Sequence, residues 1–188
     1  MKRVGKNVGR DLGEGRAINF GRRFGLAIGA IVGIGGLLMS LSVNANASTN
    51  AKDEKAIKDV ENKIINATST DEVMKYYDVN EIDLYDFVPP LQYKGATAVH
   101  GDLDNFFNNA KDVKGNFVEL VVVTDGKMGM ARSIQHFTWT SADGKAQEAT
   151  LRVTDVFHKV DGKWKVIHSH VSVPVDPKTG QAQMNLSS

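Results

Sequence analysis

The sequence predicts an α+β fold in which three N-terminal helices pack on a curved, mainly antiparallel sheet that encloses a pocket. Three observations lead there. Apolar residues recur at helical spacing up to about residue 109 and alternate with period two afterwards. Asp-Gly pairs at 125-126, 143-144 and 161-162 separate the alternating runs, and Asp-Gly between such runs is a strong hairpin signal. Helices that precede a run of strands cover one face of the resulting sheet and leave a cavity where it curls.

The chain has 188 residues and no cysteine, which excludes disulfides, thiolate metal sites and a cysteine nucleophile. Residues 1–47 carry seven Lys/Arg against Asp11 and Glu14, a net +5; residues 48–188 carry sixteen against twenty Asp/Glu, a net −4. The acidic balance of the domain argues against a nucleic-acid partner. Arg22-Arg23 precedes an almost uncharged, glycine-rich run from Phe24 to Val43, and Ala45-Asn46-Ala47 follows it. Basic segment, apolar segment and small-x-small site form a secretory signal that predicts a mature chain from Ser48 and a periplasmic or secreted location. The alternative is an uncleaved anchor, since about 20 such residues reach across a bilayer. The leader is then the only contact with a membrane. The expected organisation is a signal at 1–47, a domain at 48–176 and a flexible tail at 177–188.

Within the domain, Ile57, Val60, Ile64 and Ile65 predict an amphipathic helix over 53–67. Ser69-Thr70-Asp71-Glu72 is a capping box that opens a second helix through Tyr77. Ile82 to Phe87 is a strand stopped by Pro89-Pro90, and Thr97 to Asn109 is a third helix with Val99, Leu103, Phe106 and Phe107 on its apolar side. Four strands follow, at 117–124, 128–140, 147–159 and 164–173.

Two stretches resemble a known family. Tyr85-Asp86-Phe87-Val88-Pro89-Pro90-Leu91-Gln92-Tyr93-Lys94-Gly95 and Asp161-Gly162-Lys163-Trp164-Lys165-Val166-Ile167-His168-Ser169-His170-Val171-Ser172-Val173-Pro174 are similar to segments of bacterial SnoaL-like proteins. The second stretch also resembles the end of the association domain of calcium/calmodulin-dependent protein kinase. The resemblance spans roughly residues 50–176 and implies the NTF2-like cone. That superfamily holds isomerases, including the ketosteroid-isomerase type, dehydratases, cyclases, binding modules and oligomerisation hubs. Ala131-Arg132-Ser133-Ile134-Gln135 looks like a segment that carries a pocket arginine in the kinase domain. The next arginine position of that pocket aligns with Asp155, a departure from the pattern.

Hairpin arithmetic supplies an independent constellation. If Asp161-Gly162 and Asp143-Gly144 are both two-residue turns, Asp155 faces His168 on one side and Arg132 on the other. Val153 then faces His170 and Ile134, Phe157 faces Val166, and His136 faces Leu151. Direct cross-strand neighbours lie about 4.5–5.5 Å apart, so Arg132–Asp155–His168 forms a row across an apolar pocket face. In a catalytic reading, His168 moves a proton, Asp155 orients it and Arg132 stabilises negative charge. In a structural reading, the row is a buried network that ties the strands together. His136, His170, Asp86, Phe157, Val153 and Ile134 complete the expected ligand site, with Asp86 at its mouth; Glu119 extends the row if the 124–128 connection keeps its register. His168, His170 and Asp155 are the one candidate metal set, and Arg132 opposes a cation there, so no metal is expected. His100 and His158 are placed at the surface and Trp164 in the core.

No serine sits on a nucleophile turn, so Ser-His-Asp hydrolysis has no support; no phosphate-binding glycine loop follows a strand, and no cofactor is expected. Phe137 and Trp139, placed with Gln135 on the outer face, predict a homodimer. The function expected is binding of a small molecule, carboxylate-bearing or apolar, in an internal pocket. A proton-transfer enzyme (isomerase, dehydratase or cyclase) and an oligomerisation module are the alternatives.

Overall fold

The computed structural model describes residues 36–186, with side chains from residue 50 onward. The Arg22-Arg23 pair and the start of the apolar run lie outside the described residues, as do the last two of the tail. The first helix, α1, runs from Gly36 to Ile65, so Ala45-Asn46-Ala47 falls within it. No helix among the described residues is long and apolar enough to cross a membrane.

The buried stripe of α1 is Asp53, Ile57, Glu61 and Ile65, spaced by four so that all share one face. Two carboxyls therefore stand in what is otherwise an apolar seam. Asp53 is partnered: its Oδ1 accepts from Lys159 Nζ at 2.6 Å and from Trp164 Nε1 at 3.2 Å. The Lys159 bond is the largest of the influences that hold this carboxyl below its ordinary range.

A short α2 (Thr70–Met74) begins as the capping pattern predicts. The Ser69 side chain accepts from the Glu72 N–H, while Glu72 Oε2 accepts from the Thr68 N–H at 2.8 Å. After β1 (Asp83–Tyr85) and β2 (Tyr93–Lys94), α3 covers Ala96–Asn109. Four long strands follow: β3 (Ala110–Thr124), β4 (Met128–Ser141), β5 (Ala146–Val160) and β6 (Lys163–Ser172). β3 starts at once after α3 and not at Phe117; its polar first residues (Lys111, Asp112, Lys114) concealed it, and a register shift between Lys111 and Lys114 bends it.

The six strands form one curved sheet in the order β2-β1-β6-β5-β4-β3, antiparallel except where β1 runs parallel to β6. The sheet does not close, and β2 and β3 are its edges. Helix α1 lies against it where two glycines leave room. A Cβ on Gly115 would come within 2.6 Å of Ile65 Cγ1, and one on Gly129 would collide with Ile57. The main core joins Ile57, Ile82, Val99, Phe157, Trp164 and Val166. A second cluster, Ala149, Leu151 and Val153, lies farther along β5.

Of the two Asp-Gly pairs assumed to form two-residue turns, only Asp161-Gly162 does so. Asp161 and Gly162 both have positive φ (48° and 75°) and connect paired Val160 and Lys163. At 143-144 only Gly144 has positive φ, and Ser141 N–H bonds Lys145 O at 2.9 Å, which closes a three-residue loop. At 125-126 the closing bond is Asp125 N–H on Met128 O at 3.2 Å, so the loop residues are Gly126 and Lys127 and not the Asp-Gly pair. A three-residue loop in place of two moves β4 by one residue against β5. Arg132 therefore pairs with Thr154, Ile134 with Arg152 and His136 with Thr150, while Ala131 stands beside Asp155.

A second one-residue shift occurs in β6. Phe157 pairs with Val166 as expected, but Val156 pairs with His168 and Asp155 with Ser169, so Ile167 is a bulge. The bulge divides two pairings on the other edge of β6: Val166 is bridged to Tyr77 below it, and His168–His170 pair with β1 above it. Past β6 the chain turns back along β5. Thr150 N–H bonds Met184 O at 2.7 Å, and Asp176 N–H bonds Gln181 O at 2.9 Å, so the tail expected to be flexible is hydrogen-bonded to the sheet.

Candidate functional site

A cavity of about 360 Å³ opens between α3, the segment after β1 and the inner face of the sheet. Its walls are apolar and aromatic, with Leu84, Phe106, Phe137, Trp139, Leu151 and Val153 prominent. Phe106 stands edge-on to Trp139 at 6.1 Å, which links α3 to β4 across one end. The deep end is polar: Tyr77, Asp155 and Ser169 line it and each is buried. At the open end stand Asp86, Asp102 and the exposed Asn105 and Asn109.

The register decides which residues reach this space. On β5 the inner face is Ala149, Leu151, Val153, Asp155 and Phe157, as the alternation predicts. On β4 the inner residues are Ala131, Ser133, Gln135, Phe137 and Trp139. The aromatic pair on which the homodimer expectation rested therefore lines the cavity. Past the bulge, β6 turns Ser169 and Val171 inward.

Of the expected site residues, Asp155, Asp86 and Val153 line the cavity. Phe157 is fully buried in the main core instead. Arg132, Ile134 and His136 belong to the opposite face of β4; Arg132 is exposed and His136 Nδ1 lies 3.3 Å from Thr150 Oγ1. His168 and His170 also face outward, where Tyr85 stacks edge-on against them at 4.7 and 5.9 Å. The row Arg132–Asp155–His168 is therefore not formed. The candidate metal set is divided between the two faces in the same way, and Glu119 is exposed. His158, placed at the surface from the sequence, is mostly covered, and its Nε2 lies 2.6 Å from Asp78 Oδ2.

What accompanies Asp155 is Glu61. The Glu61 side chain is 1% exposed and Asp155 4%, and Glu61 Oε1 and Asp155 Oδ1 both lack a hydrogen-bond partner. Burial, reinforced by the neighbouring Asp155 carboxyl, pushes Glu61 up to about 10. Burial raises Asp155 as well, against the Ser169 hydroxyl, Glu61 and His168, which favour its ionised form. Two carboxyls without a basic partner cannot both ionise there, so the pair retains a proton at neutral pH. Burial also raises the Tyr77 phenol, and the charges of Asp155 and Glu61 add to that. Nearer the mouth, burial raises Asp86 to about 6, with the Asp102 charge contributing; burial raises Asp102 too.

Sequence reading does not single out Glu61, because it stands among charged neighbours on the first helix. The signal was present: Asp53, Ile57, Glu61 and Ile65 recur every four residues.

The SnoaL-like domain family matches residues 57–176. The chain belongs to this family. Among curated proteins, none matches the SnoaL-like chain. Solved structures share its fold. An NTF2-like protein of unknown function from Pseudomonas putida is 22% identical, with a TM-score of 0.66, over 73% of this chain and 98% of that one. A Xanthomonas campestris protein, named for the calcium/calmodulin-dependent protein kinase II association domain, is 22% identical at a TM-score of 0.55, over 65% and 86% of the two chains. A ketosteroid isomerase-like protein from Erwinia carotovora atroseptica is 18% identical at 0.56, over 64% and 95%. At these identities the likeness establishes the SnoaL-like chain as a member of the NTF2-like fold and nothing finer.

Proposed function

We propose that this is an exported SnoaL-like protein that binds a small, ring-bearing molecule in the cavity between α3 and the sheet. The observation that carries the proposal is the combination of aromatic and aliphatic walls with a buried polar end made by Tyr77, Asp155 and Ser169. Apolar pockets with a few convergent polar groups are the usual form of small-molecule sites. Export rests on the leader sequence.

Trp139 provides the test, since it and Trp164 are the only tryptophans and only Trp139 lines the cavity. Titration with two-ring compounds is expected to change tryptophan emission saturably, and Trp139→Phe to abolish that change. Emission that stays constant while a compound binds, as judged by calorimetry, places the ligand elsewhere.

A second reading is favoured by the carboxyls. Burial raises Glu61, Asp155 and Asp86 above the ordinary carboxylate range, beside an apolar cavity, which suits general acid–base chemistry. In this reading Asp86 or Asp155 exchanges a proton with the ligand and Tyr77 donates a hydrogen bond to it. Catalysed exchange of solvent deuterium into a bound cyclic ketone, lost in Asp155→Asn, tests it.

A further inference from the structure

The walls of the cavity carry charge of one sign. Asp86, Asp102 and Asp155 contribute carboxyls, and the described lining includes no Lys, Arg or His. The outward turn of Arg132, His136, His168 and His170 takes these basic side chains out of the lining, although His168 still acts on Asp155 from behind. A carboxylate-bearing ligand, one of the classes expected from the sequence, would meet three carboxyls and no counter-charge.

From these placements we infer that the cavity selects organic cations: a primary or secondary ammonium joined to an aromatic or alicyclic body, with the ammonium on Asp155 and the rings against the neighbouring Leu151, Val153 and Val171. The inference rests on the cavity being the ligand site. Asp155 fixes where the charge is met, since it is 4% exposed and still lines the polar end of the cavity beside Tyr77 and Ser169. An ammonium group has donors and no acceptors, which complements an acceptor-only carboxylate.

Glu61 fits the same account. It stands behind Asp155 and is not part of the lining, so it holds the proton that keeps two adjacent carboxyls from repelling each other in the empty cavity. An incoming ammonium supplies the positive charge that lets Asp155 ionise fully. The surplus of acidic groups in residues 48–188, sixteen Lys/Arg against twenty Asp/Glu, favours the approach of cations over anions.

The test uses three probes of one shape on the full chain: 1-naphthylmethylamine, 1-naphthylmethanol and 1-naphthoate, each titrated by calorimetry at pH 7. The amine is expected to bind at least about tenfold more tightly than the alcohol, the usual scale for a close charge pair, and the acid not to saturate. Asp155→Asn is expected to reduce the preference for amine over alcohol to within about threefold, and Asp86→Asn, at the cavity mouth, to reduce it partially. Should Asp155→Asn fail to fold, the wild-type ranking and Asp86→Asn still decide. Binding of the alcohol or acid as tight as the amine overturns the cationic selectivity and leaves the cavity as ligand site. Absence of saturable binding by all three overturns both.

Discussion

Replacing Glu61 by Gln isolates the proton held between α1 and β5. The wild-type side chain is 1% exposed, and burial with the Asp155 carboxyl holds it protonated up to about 10, against an ordinary 4.5. Below pH 4.5 both folded and unfolded chains carry the proton, so the group is neutral to stability. Above that, the unfolded chain ionises and the folded chain does not, so the folded state binds one proton more. Stability then falls as pH rises, by about 1.4 kcal/mol per unit. Between pH 5 and pH 8 the loss is about 4 kcal/mol, a large share of the ~5–15 kcal/mol that holds a domain together. Asp155, raised by the same burial, acts in the same direction. Gln keeps the shape, offers an N–H to Asp155 and cannot ionise. Urea unfolding at pH 5, 6.5 and 8 is therefore expected to show a falling midpoint for wild type and a flatter profile for Glu61→Gln, with the variant more stable at pH 8. Parallel profiles, or a wild-type midpoint that rises across this window, would refute a buried, protonated Glu61.

Two further substitutions probe the packing and the register. Gly115→Ala is expected to cost about 1–3 kcal/mol in urea unfolding, because its Cβ would lie 2.6 Å from Ile65 Cγ1 and Phe137 Cε1 and 3.0 Å from the Ile65 carbonyl oxygen, which cannot move without α1. Arg132→Gln and Asp155→Asn occupy opposite faces of the sheet, and their effects are expected to add within about 0.5 kcal/mol; a larger coupling returns Arg132 to the cavity.

The change of period at residue 109, the Asp-Gly hairpins and the order of helices and strands were legible because they are local and repeat. The face that each strand presents was not, and two single-residue events decided it. The loop at 143-144 has three residues because only Gly144 takes a positive φ, and Asp-Gly is compatible with either length. The Ile167 bulge lies in a run, Val166-Ile167-His168-Ser169-His170, whose alternation suits both registers. A one-residue slip reverses every side chain beyond it. On β4 it exchanged Arg132, Ile134 and His136 for Ser133, Gln135 and Phe137, and neither set is apolar enough to declare itself the inner one. Asp155 remained correctly inward because β5 alternates strongly: Leu151, Val153 and Phe157 flank it, with Arg152, Thr154 and His158 between them.

The central claim is that a ligand occupies the cavity with Asp155 at its deep end. A crystal structure of the protein grown with 1-naphthylmethylamine tests it most directly. Electron density is expected for the two rings against Leu151, Val153 and Val171 and for the ammonium nitrogen within hydrogen-bond distance, about 2.7–3.2 Å, of the Asp155 carboxyl. Density for the amine on the outer face beside Tyr85, His168 and His170, with the cavity empty, would contradict it.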